Sequence, residues 1–158
     1  TGSADRFAEA YDLPLDPGMT EELDVSVWTD GVPVQLGPFT VTPTRVDLPV
    51  ESYALRIEED GHVLVYSGDT GPTPALVDAA RGADALLCEA SFTDADDNPP
   101  HLHLTGTDAG KAATAAGVGR LLLTHVPTWT DPDEVAAEAK AAFTGPSELV
   151  VSGTVYEV

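Results

Sequence analysis

The chain has 158 residues, of which 42% are hydrophobic, and it carries 27 acidic against 7 basic side chains, for a formal charge of −20. This composition excludes a disordered polar chain. Seven cations are also too few for a basic surface that binds nucleic-acid phosphates or anionic lipids. Apolar runs such as Leu121–Leu123 fall far short of the roughly 20 residues that span a bilayer, so no membrane partner is expected. The single cysteine, Cys88, forms no internal disulfide, which favours a reducing, cytoplasmic location.

Residues 1–60 form a β-rich front part that is also rich in proline. A short helix is expected at Asp5–Tyr11. Apolar alternation and glycine or proline turns predict strands at Leu23–Trp28, Val32–Leu36, Phe39–Val46 and Tyr53–Ile57. Asp60-Gly61 separates the last of these from a second alternating run, which is a strong signal for a β-hairpin.

Residues 61–158 alternate between strand-like and helix-like segments. The predicted strands are Val63–Tyr66, Asp84–Cys88, Arg120–Thr124 and Leu149–Val151. The predicted helices are 73–80, a segment that starts at Thr107 or Asp108 and ends at Gly117, and 131–143. Alternating βα units with continuous apolar strands predict an α/β fold, and the front hairpins make its sheet mixed, with covering helices. The chain is expected to be one domain or half of a larger one.

Acidic and histidine side chains follow the predicted parallel strands at the points where those strands end. Asp69 comes after Val63–Tyr66, and His125 comes directly after Leu121–Leu123. Glu89 ends the intervening strand, and His103 lies in the loop before the next helix. Because reacting groups in α/β sheets collect at the C-terminal ends of strands, Asp69 and His125 are expected to meet at one edge. A carboxylate and an imidazole suit a borderline metal such as Zn²⁺.

Each of these residues also has a purely structural interpretation. Asp69 is compatible with an Asx turn, and His125 with a half-buried residue at a strand end. His103 is compatible with capping the following helix together with Thr105. Glu89 is compatible with holding a neighbouring backbone N–H. The placement of all four at successive strand ends is what favours a site.

Four short motifs resemble those of metallo-β-lactamase-fold hydrolases, in the same order. The resemblance is to the ribonuclease Z-like branch, and more narrowly to the small actinobacterial cyclic-nucleotide phosphodiesterases. It implies the C-terminal half of an αββα sandwich. The motifs are Tyr66-Ser67-Gly68-Asp69-Thr70-Gly71, Cys88-Glu89-Ala90-Ser91, His103-Leu104-Thr105 and Leu122-Leu123-Thr124-His125.

The resemblance implies a role for each of the four candidate residues. Asp69 would be the carboxylate that bridges two metal ions, and His125 would be a ligand of the second ion. His103 would be the catalytic histidine that assists the leaving group, and Glu89 would orient it. The implied cofactor is two zinc ions in the complete site, with manganese as an alternative. The implied chemistry is two-metal hydrolysis of a phosphodiester.

Two departures from the family pattern bear on that reading. The family's His-x-His-x-Asp-His ligand motif is absent and belongs N-terminal to Thr1, so the chain corresponds to the second half of the fold. In addition, Leu48 of Leu48-Pro49-Val50-Glu51-Ser52-Tyr53 stands where the family has a ligand histidine. Half a sandwich exposes an apolar sheet face. The expected partner is therefore the N-terminal half, a second chain or a second copy in a homo-oligomer.

The substrate class follows from charge and from the length of one hairpin. A chain of charge −20 repels the tRNA backbone, and only Glu58–His62 lies where the resemblance would place a tRNA-binding arm. Both observations favour a small phosphodiester such as a cyclic nucleotide and argue against nucleic acid. Two alternatives stay open: a hydrolase of the same superfamily acting on thioesters, lactones or lactams, and a non-catalytic binding or assembly module.

Overall fold

The structure of the protein, a computed structural model, describes residues 10–11, 26–94 and 97–158. Residues 5–9 of the predicted helix Asp5–Tyr11 and residues 23–25 of the predicted strand Leu23–Trp28 lie outside these residues, and the described residues 26–28 form no strand. The described strands are β1 (Val34–Leu36), β2 (Phe39–Arg45), β3 (Tyr53–Glu59), β4 (His62–Tyr66), β5 (Ala85–Glu89), β6 (Arg120–Thr124) and β7 (Ser147–Leu149). The helices described in full are α1 (Pro74–Ala79), α2 (Gly106–Ala116) and α3 (Pro132–Ala142).

The seven strands form one mixed sheet in which they lie side by side in chain order. The first four strands pair antiparallel, and β4 to β7 pair parallel. The predicted hairpin at Asp60-Gly61 is confirmed, because both residues have the positive φ that a two-residue hairpin turn requires (48° and 85°). The sheet therefore changes from a meander of hairpins to βα units at β4, as the sequence predicts.

Two element boundaries differ from the sequence-based expectation. Helix α2 begins at Gly106, earlier than expected, because Thr105 and Asp108 form a reciprocal capping box ahead of it. Strand β7 covers 147–149 and not the expected 149–151. Its register is set by pairing with Leu121–Leu123 of β6, and the bond from the Val150 N–H to the Leu123 carbonyl (2.9 Å) ends it.

The three helices lie on one face of the sheet, because right-handed crossovers between strands that follow one another in a single direction all fall on the same side. Strand residues that point to this face, such as Val65, Leu86 and Leu121, pack against helix residues such as Leu76 and Val135. Cys88 is a fully buried, free member of this core, and burial raises the pKa of its thiol. In the part of the chain that the structure describes, no helix has the length and apolar character needed to cross a membrane.

The opposite face of the sheet also carries apolar side chains. Cross-strand partners share a face, and Leu55, Tyr66, Leu87 and Leu122 are successive partners across four strands. We call this row the open-face row. Residues of the C-terminal segment after β7, including Tyr156, line a groove together with Leu87 and Leu122. No described helix covers this face, which is the arrangement expected for half of a two-sheet sandwich.

Helices α2 and α3 pack closely because Gly110 lacks a side chain. A Cβ at this position would lie 2.6 Å from the Ala139 carbonyl oxygen and 2.7 Å from the Ala142 Cβ. Helix propensity alone favours Gly110→Ala by about 1 kcal/mol. We expect the opposite, a decrease of about 1–3 kcal/mol in the free energy of unfolding, because the backbones of α2 and α3 must separate. Urea unfolding followed by circular dichroism measures it. Lys111→Ala, at the exposed neighbouring position, is the control and should change stability by less than about 0.5 kcal/mol; a stabilised Gly110→Ala would contradict this packing.

Candidate metal and catalytic site

The four candidate residues lie at the C-terminal edge of the parallel half of the sheet. Asp69 lies in the loop after β4, Glu89 is the last residue of β5, and His125 follows β6 directly. His103 lies in the loop that precedes α2. The structure brings these residues together as two contacting pairs, Asp69 with His125 and Glu89 with His103. The expectation that strand ends would collect them at one edge is met.

Asp69 and His125 form the more accessible pair. The Asp69 Oδ1 lies 3.1 Å from the His125 Nδ1, and the two side chains are 43% and 47% exposed. The Asp69 backbone is held in place by the Ser52 hydroxyl, which donates a hydrogen bond to the Asp69 carbonyl oxygen (2.8 Å). Gly68 has a φ of 61°, and a Cβ there would lie 2.5 Å from the Tyr53 carbonyl oxygen. The close approach of β3 to this loop therefore requires glycine before Asp69.

His125 is held in a strained backbone conformation. Its φ is 57°, in the left-handed region that non-glycine residues seldom occupy. The Ser91 hydroxyl donates to the His125 carbonyl oxygen at 2.8 Å and so stabilises this conformation. Strain of this kind persists where the surrounding structure fixes it and is concentrated at functional positions. The imidazole on this backbone contacts Asp69.

Glu89 is a buried carboxylate that accepts hydrogen bonds from several directions. Its side chain is 0% exposed. Its Oε1 accepts from the Thr70 N–H and from His103 Nδ1, both at 2.8 Å. Its Oε2 accepts from the backbone N–H groups of Ser91 and Leu104, both at 3.3 Å. Because these donors come from three different loops, Glu89 ties the Asp69 loop, the Ser91 loop and the His103 loop together.

Glu89 also decides how His103 presents its ring. A carboxylate only accepts, so the His103 Nδ1 carries the hydrogen in this contact and the Nε2 is left for other partners. The ring packs edge to face between Phe92 and His125, with centroid separations of 5.3 Å to each. His103 is therefore oriented by one hydrogen bond and two ring contacts, and it lies beside the Asp69–His125 pair.

The donor chemistry of these residues fits a metal ion in part. Ligand atoms of Glu89, His103 and His125 all lie within 4.8 Å of one another, close enough to hold an ion. The oxygens of Glu89 are already engaged by N–H donors, however, so an ion there would displace existing hydrogen bonds. The oxygen and nitrogen of the Asp69–His125 pair are 3.1 Å apart, close to the spacing of about 3.3 Å between two ligands of a tetrahedral zinc. Two ligands are fewer than a tight site needs, so further ligands must come from elsewhere.

Leu48 follows Asp47, a residue that is bonded to the Asp69 loop, and its side chain has no ligand atom. Its neighbour Asp47 accepts from the Gly71 N–H (2.7 Å) and donates through its own N–H to the Thr70 hydroxyl (3.1 Å). These bonds hold the segment around Leu48 against the loop that carries Asp69. A hydrocarbon side chain there cannot coordinate a metal. The Asp47 carboxylate instead contacts His101 at 2.6 Å.

The purely structural interpretations of the four candidate residues have different outcomes in the structure. Thr105 caps α2, whereas the His103 side chain turns towards Glu89. The Asp69 carboxylate contacts His125 across the site. Glu89 does hold neighbouring backbone N–H groups, and it contacts His103 as well.

Sequence reasoning missed two residues that shape the site. Ser91 links the buried carboxylate to His125, and its presence in the Cys-Glu-Ala-Ser motif was the available signal. Tyr66 ends β4 close to the site. Burial raises the pKa of the Tyr66 phenol, and the negative charges of Asp69 and Glu89 raise it further, so this phenol stays protonated over the neutral range. Its place at the start of the Tyr66-Ser67-Gly68-Asp69-Thr70-Gly71 motif was the available signal.

Comparison with known families and proteins gives a consistent result. Residues 9–126 match the beta-lactamase superfamily domain. An uncharacterized protein of Mycobacterium leprae is 54% identical over 136 residues, which cover 85% of this chain and 48% of that protein. A ribonuclease Z of Myxococcus xanthus is 36% identical over 125 residues, 77% of this chain and 40% of that protein. The chain spans about half the length of the curated relatives that it matches first.

A solved structure shows the same fold. The metallo-beta-lactamase fold protein YhfI of Bacillus subtilis is 32% identical over 162 residues, covering 99% of this chain and 66% of that protein. Its crystal structure superimposes with a TM-score of 0.77 at 34% identity, over 82% of this chain and 52% of that one. The short form of human tRNase Z matches with a TM-score of 0.54 at 27% identity, over 60% of this chain and 38% of that one.

Proposed function

The chain belongs to the metallo-β-lactamase superfamily, and from that premise we propose that it forms the C-terminal half of a metal-dependent hydrolase of small phosphodiesters such as cyclic nucleotides. The observation that carries the proposal is the buried Glu89–His103 contact beside the accessible Asp69–His125 pair. One pair offers metal ligands, and the other offers an oriented proton donor. Phosphodiester hydrolysis needs both.

Each residue has one role in the proposed reaction. Asp69 and His125 would hold two divalent ions, zinc or else manganese, together with ligands from the other half of the fold. When bound, these ions supply Lewis acidity that activates water and offsets the charge of the phosphodiester. The Glu89 carboxylate keeps the hydrogen of His103 on Nδ1 and fixes the ring plane. His103, in its protonated form, donates the Nε2 hydrogen to the leaving oxygen.

A small substrate is favoured over tRNA by charge and by chain length. The hairpin between β3 and β4 has only the two residues Asp60-Gly61 at its turn, which leaves no arm to grip an extended RNA. A formal charge of −20 also opposes a polyanion over any long contact. A cyclic nucleotide carries a single phosphate charge, so it is repelled far less. A cytoplasmic location belongs to the same proposal and is supported by the single, free Cys88.

The test is turnover by the full-length protein with defined metal content. We expect hydrolysis of cyclic AMP and of bis(p-nitrophenyl) phosphate, and loss of both after removal of metal with a chelator, with recovery on adding Zn²⁺ or Mn²⁺. Turnover of thioesters, lactones or lactams without phosphodiester turnover would replace this proposal by the other hydrolase class. Full metal occupancy with no turnover of any of these substrates would favour a binding module.

Restoring a ligand at position 48 gives a second test. The segment around Leu48 is bonded to the Asp69 loop through Asp47, so an imidazole there would add a donor beside the pair. We expect Leu48→His to increase metal affinity by about 10–100-fold, the range by which site-shaping residues alter it. The measurement is metal retained after dialysis against graded chelator. Leu36→His, on the edge strand β1, is the matched control and should retain no more metal than the parent. Equal retention by both variants would show that position 48 is not a ligand position.

We propose that the N-terminal half of the same fold covers the open-face row. The row runs across four strands, and the chain spans only about half of its first matched relatives, which leaves a segment of similar size to cover it. Residues 1–158 produced alone are expected to self-associate, and to form a 1:1 particle when the upstream half is co-produced. Light scattering after size exclusion measures the mass. A monodisperse 16.4 kDa monomer of residues 1–158 would contradict this prediction. A dimer of residues 1–158 that persists when the upstream half is co-produced would identify a second copy as the partner.

A further inference from the structure

The loop that joins His125 to α3 presents a tryptophan to solvent. Trp129 is 84% exposed, about twice the exposed fraction of the Asp69 and His125 side chains (43% and 47%). Tryptophan is among the side chains most enriched at the centre of binding surfaces, and Trp129 follows the candidate ligand His125 by four residues. Neither the metal ligands nor the proton donor in the proposed reaction involves it.

The loop that carries Trp129 is fixed at several points. The Thr130 N–H donates to the Pro127 carbonyl oxygen (3.0 Å), and the Thr130 hydroxyl donates to the Ser91 carbonyl oxygen (2.9 Å). Asp131 then caps α3 by accepting from the Asp133 N–H. Ser91 also holds the carbonyl of His125, so one residue anchors both ends of the segment. A fixed loop gives an exposed ring a defined position, and binding to it loses little conformational entropy.

Distance and charge indicate what the ring contacts. Trp129 is four residues from His125, so the two Cα atoms are at most about 14 Å apart. No lysine or arginine occurs between Arg120 and Lys140, so the segment that carries Trp129 supplies no cation to an anionic ligand. An aromatic ring such as this indole binds by stacking its face on a flat, apolar group, and it needs no charge to do so. The organic part of a nucleotide has such a group, the base.

We propose that Trp129 is a specificity-determining residue that stacks on the base of a nucleotide whose phosphodiester lies at the Asp69–His125 pair. The inference rests on the proposed function and narrows its substrates to phosphodiesters that carry a nucleobase. Every base has a π face, so stacking selects nucleotides over base-free phosphodiesters while it discriminates weakly among bases.

The first measurement compares two substrates in the full-length protein. With cyclic AMP, Trp129→Ala is expected to raise KM by about 10- to 100-fold, the effect of losing one stacked base, with kcat changed less than about threefold. With methyl riboside 3′,5′-cyclic phosphate, which has no base, KM should be the same as for the parent. Trp129→Phe keeps an aromatic face and should restore most of the cyclic AMP affinity. Equal KM changes for both substrates, or none for either, would overturn the assignment.

The second measurement reads binding without turnover. Cyclic AMP is expected to quench the tryptophan fluorescence of the parent and of Trp28→Phe. This quenching is expected to be absent in Trp129→Phe. Quenching that survives Trp129→Phe would refute stacking, whatever the activity. Quenching at Trp129 without any phosphodiester turnover would retain the nucleotide site and reject the proposed function. If Trp129→Ala changes the mass of the particle or lowers its Tm, the ring is a packing contact with the other half of the fold, and the assignment fails.

Discussion

Replacing Glu89 by alanine is expected to lower the free energy of unfolding by about 3–5 kcal/mol, the range found when one partner of a buried charged contact is removed. The carboxylate is fully buried and accepts from backbone N–H groups of three loops and from His103. Its removal leaves those donors unpaired in a region that excludes water, and each unpaired donor costs about 1–3 kcal/mol, less than additively. Against a typical total of about 5–15 kcal/mol, this is a large fraction.

Glu89→Gln separates stability from catalysis. The amide keeps the shape and one acceptor oxygen, so the expected loss of stability is smaller, about 1–3 kcal/mol. The amide nitrogen cannot accept, and the hydrogen on His103 Nδ1 is no longer held by a charge, so turnover should fall by about 10–100-fold. Denaturant unfolding and phosphodiester turnover measure the two effects. Glu59→Gln, at the exposed end of β3, is the control, with a change within about 0.5 kcal/mol. A Glu89→Gln protein with normal turnover would remove Glu89 from the catalytic proposal.

The edge where the site forms could be predicted from the sequence because strand order and strand ends are local properties. Apolar runs of three or four residues predicted β4, β5 and β6, and the carboxyl ends of neighbouring parallel strands lie at the same edge of their sheet. Asp69 and His125 could thus be placed at the same edge although 56 residues separate them along the chain. The hairpin at Asp60-Gly61 was equally local, since the two residues themselves set the turn.

The pairings inside the site could not be derived from spacing alone. Glu89 ends β5 and His103 lies in the loop before α2, so their contact depends on how that loop folds back over β5. Thr105 decides this locally by capping the helix, which leaves His103 outside the helix and free to turn. The left-handed backbone at His125 depends on the Ser91 hydroxyl, 34 residues away. Such long-range contacts leave no periodic signal in one sequence. The resemblance to a family implied roles for these residues, and the structure adds the contacts between them.

The contribution of Asp69 differs from that of Glu89, because Asp69 is accessible and Glu89 is buried. Asp69→Ala removes a side chain that is 43% exposed and whose contact is His125, so the free energy of unfolding should change by less than about 1 kcal/mol. If Asp69 bridges two ions, the same variant loses a ligand of both. Metal content should fall from two ions to one or none, and turnover should fall by more than the roughly 100-fold that marks outer residues of metal sites.

Three measurements on the same Asp69→Ala preparation decide between a ligand and a turn residue. Metal content is read by mass spectrometry, turnover with cyclic AMP, and stability by thermal unfolding. Asp78→Ala, on the exposed side of α1 where the aspartate pairs only with Arg81, provides the matched control and should keep metal and turnover. Asp69→Asn tests charge at constant shape, because an amide oxygen coordinates but cannot bridge two cations as a carboxylate does. An Asp69→Ala protein that unfolds early and yet keeps its metal would mean that this residue shapes the loop and does not bind the ions.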